Sequence, residues 1–156
     1  RVVMTGALEG EKCRCPAEVG GRMPGPIGAS GGNQLNKSGG YNARGVISAA
    51  ALGQEMKLPF FMLRKSGKLP GTTVSVSYGL EYGSDVIEMQ VNAVDANDRV
   101  LLVDDVLATG GTARAGAELI EGQGAKVAGL ATVMELAFLN GRSVFGHEVQ
   151  ALIVYE

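Results

Sequence analysis

Thirteen consecutive residues constrain this chain more than any others: Val100-Leu101-Leu102-Val103-Asp104-Asp105-Val106-Leu107-Ala108-Thr109-Gly110-Gly111-Thr112. The apolar opening, rich in β-branched Val, reads as a strand buried on both faces, residues 100–103. Two adjacent carboxylates, Asp104 and Asp105, follow where that strand should end. A loop of small residues then runs from Ala108 to Thr112, and a helical pattern begins near Ala113. Gly110 and Gly111 lack Cβ, so their backbone can take positive φ and approach a ligand closely. Successive N–H groups in such a turn, at a helix N-terminus, form a pocket for an anion. Thr109 and Thr112 add hydroxyl donors. The two Asp residues repel phosphate, but they accept hydrogen bonds from sugar hydroxyls or hold a divalent cation through water. A ribose 5-phosphate derivative satisfies both halves. The plainer alternative is a βα turn that needs Gly, with acidic residues serving as helix caps.

Neighbouring phosphate motifs do not fit. A Walker loop requires a Lys after its glycines, and none follows here. The dinucleotide fingerprint Gly-x-Gly-x-x-Gly is also missing from the run. A response-regulator receiver ends a strand in two acids but has no reason to place Gly-Gly-Thr after them.

The remainder of the chain alternates strand and helix. From Arg44, Val46, Ile47, Ala50, Ala51, Leu52 and Met56 recur at helical spacing, and Lys57-Leu58-Pro59 ends that helix. Phe60-Phe61-Met62-Leu63 reads as a buried strand. Residues 73–78 and 85–90 alternate polar and apolar, as the arms of a long hairpin whose tip is Gly79-Leu80-Glu81-Tyr82-Gly83. A helix over 114–123 closed by Gly124, a strand over 127–134 and a strand over 152–154 complete the pattern. Alternating β and α units predict an α/β fold with a mainly parallel twisted sheet flanked by helices and right-handed crossovers. Ligands in such sheets sit beyond the carboxyl ends of the strands. That is where Asp104, Asp105 and the glycine turn fall. Residues 1–38 differ: they are crowded with Gly and hold Pro16, Pro24 and Pro26, which predicts an irregular N-terminal cap on a single domain of residues 1–156.

Composition excludes several classes. A net charge of −2 gives no bulk attraction for nucleic acid or membrane, and a chain without Trp offers little base-stacking platform. Cys13 and Cys15 lack the second pair a zinc site needs, and two positions apart along a strand they are poor disulfide partners. Reduced thiols and a cytoplasmic location are expected, with no secretory leader and no apolar run of membrane-spanning length. His147, the sole histidine, is expected to face solvent, so a His-based nucleophile triad is not expected. No protein metal site is expected.

The thirteen-residue run resembles the signature of the type I phosphoribosyltransferases, which bind 5-phosphoribosyl-1-pyrophosphate (PRPP). Its Leu-Ala-Thr-Gly-Gly-Thr wording is most similar to the adenine-specific members. Arg64-Lys65-Ser66-Gly67-Lys68-Leu69-Pro70-Gly71 resembles their basic segment. The tip around Glu81 resembles their mobile catalytic loop, and Ala43-Arg44-Gly45 their pyrophosphate loop, although Asn42 stands where the family usually has Glu. Glu135-Leu136, Gly141-Arg142 and Tyr155-Glu156 also fit. The likeness runs from about Gly39 to the C-terminus and is faint before it, where Pro24-Gly25-Pro26 is its one echo, in the region where the family holds the base.

The resemblance implies the type I phosphoribosyltransferase fold and the reaction of adenine with PRPP to give AMP and pyrophosphate. Mg²⁺ would be carried mainly by the pyrophosphate of PRPP. It implies that Ala108, Thr109, Gly110, Gly111 and Thr112 hold the 5-phosphate, and that Asp104 and Asp105 hold the ribose hydroxyls. Arg44, from a loop before a helix, would contact pyrophosphate together with Lys65 and Lys68. Arg64 would do so across the interface of a homodimer. Glu81 and Tyr82 would exclude water, Glu81 also moving a proton. For Glu135 the residues themselves leave two plain structural uses open, orienting the phosphate loop or orienting a neighbouring strand, and no catalytic role is expected. Two rivals stand beside this reading: transfer to another base, and a non-catalytic PRPP-binding regulator.

Overall fold

The computed structural model describes residues 2–4, 35–80 and 83–156. Cys13, Cys15 and the prolines at 16, 24 and 26 lie outside them, as do Glu81 and Tyr82. The described elements are β1 (Val2–Met4), β2 (Lys37–Tyr41), α1 (Asn42–Met56), β3 (Phe60–Lys65), β4 (Thr73–Leu80), β5 (Gly83–Gln90), β6 (Arg99–Leu107), α2 (Gly111–Glu121), β7 (Lys126–Leu136), α3 (Gly141–Phe145) and β8 (Val149–Tyr155). A 3-10 turn, Ala137–Leu139, joins β7 to α3.

The strands form one sheet in the order β1-β8-β7-β6-β2-β3-β5-β4. From β8 through β3 the neighbours are parallel. An antiparallel β1 closes one edge, and the β4–β5 hairpin joins antiparallel at the other. The chain moves one way from β2 through α1 to β3, and the opposite way from β6 through α2 to β7. Right-handed crossovers in opposite directions place α1 and α2 on opposite faces of the sheet. Two apolar clusters result. Val100 and Leu102 pack with Ala113, Ala117 and Ile120 of α2, whereas Leu101 and Val103 pack with Ala49 and Leu52 of α1. The apolar opening of β6 is thus buried on both faces, as its composition predicts. Among the described residues every buried side-chain nitrogen or oxygen has a hydrogen-bond partner.

Several boundaries differ from the sequence expectation. β6 does not end at Val103. It pairs with β7 as far as Leu107↔Glu135, so both acids are strand residues. Helix α2 starts at Gly111, which places Gly111 and Thr112 in its first turn and ends the loop at Gly110. Lys37 and Ser38, in the stretch read as irregular, open the central strand β2, and Val2–Met4 pair with β8. Gly39 and Gly40 hide β2 from pattern recognition, yet both are packing positions. A Cβ on Gly39 would enter the Phe61 ring, and one on Gly40 would stand 2.7 Å from Ala49 Cβ and Gly45 O. β3 is not a wholly buried strand: Leu63 is buried but Phe60 is 47% exposed. Helix α1 covers one face of β3, and no described helix packs comparably on the other.

Tyr41 ends β2 wholly buried, its hydroxyl donating to Ala113 O at 2.8 Å. Burial first, and the charge of Asp104 second, hold that phenol well above its ordinary pKa. The ring lies against the mid-helix Gly116, where any Cβ would overlap the Tyr41 hydroxyl and ring edge. Gly116→Ala should therefore destabilise the protein by about 1–3 kcal/mol despite the better helix propensity of Ala. Urea unfolding would check this, and Tyr41→Phe in the same background should recover part of the loss.

Candidate active site

The order of the sheet reverses between β2 and β6, and the crevice beyond their carboxyl ends is the expected ligand position in an open α/β sheet. Three features meet there: the first turn of α1 after β2, the two acids at the end of β6, and the turn into α2. The approach is close. A Cβ on Gly45 would stand 2.7 Å from Val103 O and 3.0 Å from Asp104 Oδ1, so α1 begins directly against the end of β6.

The turn into α2 is built on a left-handed glycine. Gly110 takes φ 83°, the left-handed region that glycine occupies without penalty. The first backbone bond of the helix runs from Arg114 N–H to Gly110 O at 2.9 Å, so the N–H groups of Gly111, Thr112 and Ala113 precede it. Ala108 is half-buried, Thr109 exposed and Gly110 buried. The turn leans on the start of α3: a Cβ on Gly110 would overlap Gly141 O, and one on Gly141 would overlap Ala108 O.

The two acids are unequal. Successive strand side chains leave on opposite faces. Burial pushes Asp104 up to about 7, with the neighbouring charge of Asp105 adding to the rise and the Asp105 N–H bond at 2.9 Å opposing it. Asp105 is about one-third exposed and meets Arg44 Nη1 at 3.4 Å. Arg44 itself lies within the first turn of α1 rather than in a loop before it, and its side chain is 84% exposed.

Lys65 is not a free surface charge: its ammonium stands 2.5 Å from Asp85 Oδ2. The same carboxylate is 3.5 Å from the Tyr78 hydroxyl, which accepts from Thr112 Oγ1 at 3.3 Å. A polar chain therefore connects the glycine turn, through the hairpin, to the basic segment. Lys65 holds Asp85 below the ordinary carboxylate range. Lys68 and Leu69 donate their backbone N–H groups to Glu88 Oε1, each at 3.1 Å, and Thr73 Oγ1 donates to Glu88 Oε2 at 3.3 Å. Burial works to raise Glu88, but these donors together hold it low. Arg64 lies on β3 opposite Glu88 in the ladder. The expected roles of Glu81 and Tyr82 fall outside the described residues.

Tyr78, Asp85 and Glu88 were not singled out from the sequence. Their signal was the polar alternation of the hairpin, which placed them on strands without showing what they face. His147 is half-buried rather than solvent-facing: its ring lies 5.1 Å from that of Phe145 and its Nε2 is 3.4 Å from Glu121. Among the described residues no cluster of three His, Cys, Asp or Glu forms a metal cage, and no helix is long and apolar enough to cross a membrane.

The phosphoribosyl transferase domain family matches residues 40–142, which hold the acids, the glycine turn and the first turn of α1. The chain belongs to that family. It is 48% identical over 128 residues to an adenine phosphoribosyltransferase of Cereibacter sphaeroides, covering 80% of this chain and 72% of the relative. The structure of adenine phosphoribosyltransferase from Rhodothermus marinus superposes with a TM-score of 0.76 at 40% identity, covering 80% and 72% of the two chains. The Saccharomyces cerevisiae enzyme, solved with adenine and an imino-altritol bisphosphate, gives 0.73 at 40% identity, covering 76% and 68%. These likenesses place the chain with the adenine phosphoribosyltransferases, enzymes of the pentosyltransferase class, and the sheet is that of the type I fold.

The burial of Asp104 has a consequence for stability. Its carboxyl binds a proton more tightly in the folded chain than in the unfolded one, so its contribution is complete below about pH 4 and is lost as pH rises through about 7. Asp104→Asn should remove that loss. Relative to the variant, the parent should lose on the order of 1 kcal/mol per pH unit across this window. Thermal melting of both proteins across the range measures it, and parallel curves would show Asp104 ionised throughout.

Proposed function

We propose that this site transfers the 5-phosphoribosyl group of PRPP to adenine, giving AMP and pyrophosphate, through the residues gathered between β2 and β6 in one domain. The observation that carries the reading is the sequence of groups along the end of β6: two acids, then a left-handed glycine, then N–H groups at the start of a helix. A sugar phosphate presents hydroxyls and an anion in that order.

The roles follow from chemistry. The N–H groups of Gly111 and Thr112, with the Thr109 and Thr112 hydroxyls, receive the 5-phosphate, while Ala108 and Gly110 shape the turn. The Thr112 hydroxyl, which donates to Tyr78 in the free chain, has to turn toward the phosphate. Asp104 and Asp105 accept from the ribose hydroxyls. As pyrophosphate leaves, the sugar acquires positive charge, which favours the ionised form of Asp104 beside it. Arg44, Lys65 and Lys68 face the leaving pyrophosphate, with Arg64 serving the partner site of a homodimer.

Mg²⁺ binds through one or two carboxylates together with substrate phosphates, and the partly exposed Asp105 fits that donor set. When bound with PRPP, it supplies charge neutralisation at the pyrophosphate. Glu81 and Tyr82 keep water from the activated sugar, and Glu81 handles the proton of the base or leaving group. Most of the acceleration then comes from alignment and charge stabilisation. The enzyme is assigned to the cytoplasm and to purine salvage.

Assays with a panel of adenine, hypoxanthine, guanine and orotate, each with PRPP, test the specificity. Adenine should be the preferred acceptor. PRPP binding without product from any base would instead favour a regulator. Replacing both acids, Asp104→Asn with Asp105→Asn, should lower kcat by about 100-fold or more while the chain stays folded. Near-parent AMP synthesis by that folded variant would reject the ribose assignment. Gly110→Val should abolish measurable PRPP affinity, since the side chain meets both a positive φ and Gly141 O.

A further inference from the structure

The glycine turn does not stand alone. Its carbonyl side is in backbone contact with Gly141, tightly enough that neither Gly110 nor Gly141 has room for a Cβ. The next residue, Arg142, makes a two-pronged ion pair with Glu135: Nε to Oε1 at 2.7 Å and Nη2 to Oε2 at 2.6 Å. Its remaining nitrogen, Nη1, donates to Val149 O at 2.8 Å. The carboxylate is nearly inaccessible, 5% exposed, and Glu135 pairs across the ladder with Leu107, the residue just before the turn. One guanidinium thus ties the start of α3 to the carboxyl end of β7 and to the first residue of β8. The contact it braces is the one that sets where Ala108 and Gly110 lie.

We propose that Glu135 and Arg142 are a positioning pair for the 5-phosphate site: they hold Gly141 against Ala108 and Gly110 and so fix the N–H groups of the turn. Neither side chain touches the ligand. This rests on the assignment of the turn to the 5-phosphate and adds to it the pair that keeps the turn in register. Two parallel N–H···O bonds fix the guanidinium plane and its direction, which an ammonium cannot do. Displacing preorganised donors by an ångström costs on the order of 100-fold in a site of this kind.

The test uses the full chain with Arg142→Gln, Arg142→Lys and Glu135→Gln, read by steady-state kinetics and by calorimetry with PRPP and ribose 5-phosphate. Arg142→Gln and Glu135→Gln should raise the KM for PRPP and the Kd for ribose 5-phosphate by about 10- to 100-fold, with the KM for adenine within about twofold. Arg142→Lys should recover only part of the loss, since it keeps the charge without the fork. A pair that serves general stability alone would lower the melting temperature and the active fraction, leaving both phosphate-dependent constants at parent values; that result overturns the proposal. Should Arg142→Gln fail to fold, unchanged constants in Arg142→Lys and Glu135→Gln overturn it equally. Thr112→Val with Thr109→Val separates the two readings. If that variant loses PRPP while the Arg142 and Glu135 variants do not, only the positioning role falls. If none of them alters PRPP binding, the 5-phosphate assignment falls with it.

Discussion

The structure depends on the reversal of strand order beside β6. Because the chain leaves β2 toward β3 and leaves β6 toward β7, no connection crosses the gap between the carboxyl ends of β2 and β6. That gap is where an open α/β sheet is expected to bind its ligand, and the segments emerging on either side of it face it. The two acids, the helix-opening turn and Arg44 are neighbours for this reason, although Arg44 lies 61 residues from Asp105 in sequence. Burial of β6 on both faces makes the arrangement rigid. Its alternating apolar residues are divided between α1 and α2, so the strand cannot slip by one residue without exchanging the two faces.

Rigidity there has an electrostatic cost. Asp104 lies at the edge of the core that Tyr41 fills, and its carboxyl is poorly solvated. A site prepared for a sugar that turns cationic benefits from an acid whose charge is unfavourable until a positive partner arrives. Asp105 is better solvated and is partnered by Arg44. In the proposed reaction the adjacent acids would divide the work: the buried one is sensitive to charge developing close by, while the other stays available to solvent. On the hairpin side Lys65 is likewise partnered, by Asp85.

Features carried by contiguous residues were legible in the sequence. The β6–α2 junction, the helix ending at Met56 and the hairpin arms each bring their periodicity and punctuation within a short window. Features that depend on distant contacts were not. β2 carries Gly39 and Gly40 where a buried strand ordinarily shows branched apolar residues, because Phe61 and the first turns of α1 already fill that space. The inequality of Asp104 and Asp105 is invisible in a pair of identical letters, since it comes from what packs around them. Glu88 read as an alternating polar residue of a strand, whereas it is a buried acceptor that shapes the backbone bearing Lys68. In each case residue type showed what a group can do, and tertiary packing decided what it faces.

The glycines show how this logic reaches the site itself. In the proposed reading the substrate phosphate approaches backbone N–H groups, which requires a turn with no side chain between them and the ligand. Such a turn has few side-chain contacts of its own and would be loose if left to itself. Here the looseness is removed from behind: Gly110 and Gly141 press backbone against backbone, and neither can move toward the other. Close contact of this kind only excludes positions on one side; it does not pull. In the proposed arrangement the attraction comes from Arg142, whose guanidinium is held by Glu135 and by Val149 O at the start of α3. Steric exclusion and a directional ion pair are complementary constraints, and a phosphate cradle made of bare backbone requires both.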